Sequence, residues 1–185
     1  MHQMGNPHSL VWLDIETTGL NPSKDSILEV AAAIAPFDDP FNVTFIVDNV
    51  IWFHPDLVNH QDKFIIDMHT KNGLWRECGH NLNAKDVGEV ENELLKFITI
   101  PQDHNEFTLA GSSVHFDHSF ITAWMPRLTK RLSHRHYDVS SIELFARSHG
   151  MLPPEKAGAH RAMPDILESI KRAKACRDWL MATLQ

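Results

Sequence analysis

The chain has 185 residues, 43% of them apolar, and a formal charge of −7 from 17 basic and 24 acidic side chains. That size suits one domain with a substantial buried core, and the acidic balance argues against a general grip on long nucleic acid, which normally shows as a basic excess that releases counterions. A short nucleic acid held through metal ions remains compatible with it. No run of about 18 apolar residues offers a membrane span, and the opening MHQMGNPHS has no signal-peptide layout, so the reading is a single cytoplasmic domain over residues 1–185 with residues 1–8 as a flexible N-terminus. Cys78 and Cys176 are too few for a disulfide framework, and 13 histidines show no HxxxH spacing.

In chain order, LVWLDI from Leu10 is short, apolar and strand-forming, and TGLNPSKD ends it with turn residues. ILEVAAAI from Ile27 and NVTFIVDNVI from Asn42 follow at hairpin distances, which predicts a three-stranded meander. Short helical pieces are expected around HQDKFIIDMHT and a loop at KNGLWRECGHN. From Ala84, apolar residues at Val87, Val90, Leu94, Leu95, Phe97 and Ile98 recur every three or four positions, the mark of an amphipathic helix.

FTLAGSS then reads as a buried strand. HFDHSFITAWMPRL is helical up to Pro126, and YDVSSIELFARSHG passes from a short strand into a helix that stops near Gly150. PPEKAGAH is a loop, and MPDILESIKRAKACRDWLMATL is a final amphipathic helix. Strands first, then alternating helices and strands, imply an α/β fold with a mixed sheet flanked by helices.

Asp14 and Glu16 stand at the end of an otherwise apolar strand. Residues two apart on a strand share a face, so both carboxylates can address one point. Two anions at one point repel, and a divalent cation is the economical compensation. Asp117 begins a helix just after FTLAGSS, and Asp165 follows Met163 and Pro164 in the first turn of the last helix, with Pro164 read as its first residue. His160 lies before that helix on the AGAH loop, and a histidine there is suited to taking a proton from an attacking water.

DIETTGL, then GSSVHFDHSF with Asp117, then HRAMPD with His160 and Asp165 resemble the three motifs of the DEDDh exonucleases, a ribonuclease H-like family. The resemblance implies removal of nucleotides from a 3′ end, with two divalent ions (Mg2+ or Mn2+) held by Asp14, Glu16, Asp117 and Asp165, and His160 as general base. Ions about 4 Å apart suit such a displacement. HTKNGL, LAGSSVHFD, FITAWMPRL and RHYDVSSIELFAR resemble the oligoribonucleases within that family, over most of the chain from Leu10 to Leu180.

That likeness implies short single-stranded RNA as substrate. Leu20 matches an aliphatic wedge against the bases, and Phe64 falls where a Trp is usual, able to stack on a base or to serve as a core aromatic. His69, Ser113 and Arg135 match a cap on the terminal phosphate. His134 stands where the family has a Tyr given by a partner subunit, so a homodimer is implied by resemblance alone. Lys171, Arg172, Lys174 and Arg177 read as a solvated helix face. Three alternatives stay open: a 3′-to-5′ exonuclease on single-stranded DNA, a catalytically silent module binding nucleic acid or a partner, and a purely structural cation site.

Overall fold

In the computed structural model, which describes residues 8–98, 106–155 and 158–184, the LVWLDI run is the middle of β1 (His8–Thr17). β2 (Ile27–Pro36) runs antiparallel beside it and β3 (Thr44–Val50) antiparallel beside β2, which gives the expected meander. On the other side β1 pairs in parallel with β4 (Glu106–Gly111), and β4 with β5 (Leu132–Asp138). The sheet order is β3-β2-β1-β4-β5, a mixed sheet as predicted.

A 3-10 segment at Pro55–His60 precedes α1 (Lys63–Lys71), α2 (Leu74–His80) and α3 (Val87–Phe97). After β4 come α4 (Val114–Trp124) and the single turn α5 (Pro126–Thr129). α6 (Val139–Ser148) follows β5, and α7 (Ala162–Thr183) closes the described chain. Among the described residues no helix is long and apolar enough to cross a membrane.

The alternation of β1 decides which side each layer covers. Val11, Leu13 and Ile15 face a core completed by Val90 and Leu94 of α3 and Phe120 and Ile121 of α4. Leu10 and Trp12 face the opposite way, onto Ala162, Ile166 and Ala173 of α7. Ala31, Ala33 and Ala35 of β2 carry only methyl groups on that side, so α7 lies close over β1 and β2. Asp14 and Glu16 continue the Leu10–Trp12 face, which aims them at the start of α7.

Three expectations are corrected. The KNGLWRECGHN segment is not a loop: Asn72 Oδ1 accepts the Leu74 N–H at 3.1 Å, Gly73 takes the left-handed φ of 83° that joins α1 to α2, and Leu74, Trp75 and Cys78 are buried at helical spacing against Leu28 and Phe53. Its Gly and Asn residues mark a junction between helices rather than a loop. The last helix starts two residues before Pro164, with Arg161 as its N-cap residue, because Glu29 Oε2 accepts the Ala162 N–H at 2.9 Å. Arg172 is not solvated but ion-paired with the buried Glu143, whereas Lys171 and Lys174 are exposed. The flexible N-terminus predicted for residues 1–8 lies, up to residue 7, outside the described residues, and His8 already belongs to β1.

β4 comes so close to β1 at Gly111 that a Cβ there would stand 2.9 Å from the Leu13 carbonyl oxygen. A backbone atom cannot yield as a side chain can. Gly111→Ala should therefore destabilise the protein by about 1–3 kcal/mol, measured by urea denaturation, with the damage centred beside Asp14.

Candidate active site

The end of β1, the first turn of α7 and the first turn of α4 meet at one place. Asp14 and Glu16 arrive from β1 and Asp165 from α7, and each offers an oxygen within 4.8 Å of the others. The packing of Ala162 and Ile166 onto Leu10 and Trp12 sets that approach. Asp117 comes from α4 on the other side of the sheet. The parallel pairing of β1 with β4 ends at Trp12 and Ala110, and beyond it Asp117 Oδ1 accepts the Ile15 N–H at 3.2 Å.

Burial here is severe: Glu16 is 8% exposed and Asp117 4%. Loss of hydration raises the Glu16 carboxyl to about 8, with Asp165, Glu29 and Asp117 adding repulsion and Arg161 a smaller opposing pull. Burial likewise raises Asp117 to about 8, against the hydrogen bonds it accepts from backbone N–H groups. Asp14 is pushed well above the carboxylate range, first by burial and then by Asp117, Glu16, Asp165 and Glu29. His69, fully buried behind Glu16 with Nε2 3.8 Å from Oε2, does not neutralise it, because burial lowers the histidine's own pKa.

His160 and Ser113 line the cleft that also contains Asp14, Asp165, Ser112 and Arg172. Both His160 and Ser113 sit in the left-handed region, at φ 51° and 59°, a conformation costing a residue with a Cβ about 1–2 kcal/mol. Leu20 is 81% exposed and Phe64 68%, so Phe64 is not a core aromatic. Phe64 separates a hollow shared with Leu20 from one shared with His160. Trp124 Nε1 donates to the Asp25 carbonyl oxygen at 3.1 Å, and the Asp25 carboxylate accepts the Asn21 N–H at 2.8 Å, which together secure the loop of Leu20.

The phosphate-cap residues are dispersed. His69 presents no surface; its Nε2 faces the Thr17 carbonyl oxygen at 3.2 Å. His134 and Arg135 are exposed on the edge strand β5 and lie outside the cleft's lining. The sequence reading passed over Ser140, whose hydroxyl is 3.1 Å from that of Ser113 because Asp138 accepts both the Ser113 and the Ser140 N–H. It also passed over Arg161, Glu29 and Asn72. The N-cap signal DVS marked Ser140 in sequence; Glu29 gave none, because an acid within ILEVAAAI has no visible partner.

The exonuclease (RNase_T) family profile matches residues 11–172. The chain belongs to the exonuclease family. It is 36% identical over 182 residues to the oligoribonuclease of Cutibacterium acnes, covering 93% of this chain and 86% of that one. It is 38% identical over 180 residues to the oligoribonuclease of Corynebacterium diphtheriae, covering 94% and 84%. A solved structure of E. coli exonuclease I in complex with a dA16 oligonucleotide superposes with a TM-score of 0.66 at 17% identity, covering 92% of this chain but 41% of that one. The chain thus spans less than half the length of exonuclease I, with which it shares the ribonuclease H-like fold. By family it is a 3′-to-5′ exonuclease, a phosphodiester hydrolase.

The acid set of this exonuclease fits a metal ion. Three carboxylates within 4.8 Å of one another are all hard oxygen donors, and Asp14 and Glu16 have other carboxylates as their chief charged neighbours. Their raised pKa values also fix a pH dependence. In the unfolded chain these acids ionise near pH 4, whereas the fold holds Glu16 and Asp117 protonated up to about 8. Between those values the native state binds more protons, so stability falls as pH rises. Thermal melts without metal should lose stability from pH 4 to pH 8, on the order of a few kcal/mol, Glu16→Gln should flatten the slope, and divalent ions should restore stability most at pH 8.

Proposed function

We propose that the chain acts as a single exonuclease domain that removes nucleotides from the 3′ end of short single-stranded RNA. The observation that carries this reading is the convergence of Asp14, Glu16 and Asp165, with Asp117 against the same strand end and His160 on the rim of the cleft. The four acids would hold two divalent ions, Mg2+ or Mn2+ by the hardness of their oxygens. Such a pair, when bound, polarises the scissile phosphate and makes water more acidic.

The remaining work falls to the chain's own side chains. The His160 imidazole takes the proton of the attacking water, which its exposure and its place beside Asp14 and Asp165 allow. Leu20 and Phe64, the exposed apolar side chains flanking one hollow, grip a terminal base between them. Ser113 and Ser140 present paired hydroxyls to the terminal phosphate. His134 and Arg135 would join that cap from a second copy of this chain, since both are exposed on an edge strand. His69, given a place in the cap by resemblance, lies behind Glu16 and is assigned to orienting it. Two buried free thiols, Cys78 and Cys176, suit a reducing compartment such as the cytoplasm.

The test is a time course with Mn2+ or Mg2+ on end-labelled RNA of about two to seven nucleotides beside long single-stranded DNA, with Asp165→Ala as the blank. Rapid loss of the short RNA with sparing of the DNA is expected. Equal loss of both would assign a general single-strand exonuclease, and no loss of either a silent binding module. In the same assay His160→Gln should lower kcat by about 100- to 10,000-fold while metal binding, followed by thermal shift, persists.

A further inference from the structure

The catalytic histidine sits on a backbone that its own sequence does not favour. At φ 51°, His160 holds a left-handed conformation that a residue with a Cβ keeps only where its surroundings impose it. Those surroundings act from both sides. Arg161, the next residue, sends Nε and Nη2 onto the two oxygens of Glu29 at 2.8–3.1 Å and both Nη atoms onto Glu77 at 2.8 and 3.2 Å. Glu29 Oε2 also accepts the Ala162 N–H at 2.9 Å. From the other side, Asn72 Nδ2 donates to the His160 carbonyl oxygen.

We infer that Glu29, Glu77, Arg161 and Asn72 form a clamp that positions His160 for proton transfer. This rests on the reading of His160 as general base. Glu29 stands opposite Glu16 on the neighbouring strand and is 2% exposed, so it adds a buried acid beside a site already crowded with them. A buried ion pair is poor value for stability compared with apolar packing, and its fork geometry fixes direction instead. What this pair directs is the first turn of α7 and the residue before it. The clamp also reaches the substrate side: Asn72 ends α1, the helix that carries Phe64, so a base seated on Phe64 bears on the same helix that holds the His160 carbonyl.

Arg161→Lys keeps the charge and loses the two-armed fork, Asn72→Ala removes the bond to the His160 carbonyl together with the acceptor of the Leu74 N–H while every side chain of the ion pairs is kept, and each is combined with His160→Gln. Steady-state kinetics on short labelled RNA should show kcat lowered by about tenfold or more in each single variant, with KM and the half-saturating metal concentration within about twofold. In the His160→Gln background neither should lower kcat by more than about twofold again, because the clamp acts through the lost imidazole. In the metal-free protein, NMR should show the amides of residues 158–162 shifting in Asn72→Ala while those of β1 stay in place.

Losses that multiply with His160→Gln, or a shifted metal requirement, would overturn the clamp and leave Arg161 as a partner of the carboxylates. If Arg161→Lys does not fold, Asn72→Ala alone decides. An inactive wild-type protein would remove the nuclease reading and the clamp together, whereas an active one with multiplying losses removes only the clamp.

Discussion

Mutual repulsion among acids that the fold brings out of water is the constraint around which this molecule is arranged. Asp14 and Glu16 cannot leave the site, because the alternation that buries Leu10 and Trp12 under α7 also aims these two carboxylates at the start of that helix. Asp165 follows from where α7 begins, and α7 begins where Glu29 accepts the Ala162 N–H. Asp117 is held by the one stretch of β1 that β4 leaves unpaired. Each acid is thus fixed by interactions whose first role is building the sheet and its helical cover.

Other buried acids in the chain are treated differently. Glu29 has Arg161, Glu91 has Arg127 and Glu143 has Arg172. Asp14 and Glu16 have other carboxylates as their main charged neighbours, and the nearby His69 is kept neutral by its own burial. Arginines pair with these three acids, whereas Asp14 and Glu16 are set chiefly among other carboxylates, a setting in which a metal ion could bind. That contrast, more than any single distance, separates the site from a structural ion-pair network.

Around this charged centre the groups proposed to face the substrate are simple. Leu20 and Phe64 project into solvent, which leaves their apolar surface open to something flat that could lie against it. Ser113 and Ser140 face one another because Asp138 accepts an N–H from each. The edge strand β5 leaves His134 and Arg135 on the outside, where a single copy of the chain does not bring them into the cleft.

The sequence by itself determined the meander, the helical periodicities and the order of the five signature residues, because strand alternation, helix spacing and turn chemistry are local and each is written within a few neighbouring residues. It misread KNGLWRECGHN, where Gly73 and Asn72 join two helices, since the burial of Leu74, Trp75 and Cys78 depends on Leu28 and Phe53, which lie elsewhere in the chain. It placed the start of α7 at Pro164 because the cap at Ala162 comes from Glu29, more than a hundred residues away. Only the tertiary structure decided that His69 is buried, that Phe64 is exposed and that Arg161 grips Glu29 and Glu77. Burial and ion pairing are properties of distant residues brought together, and no local pattern carries them.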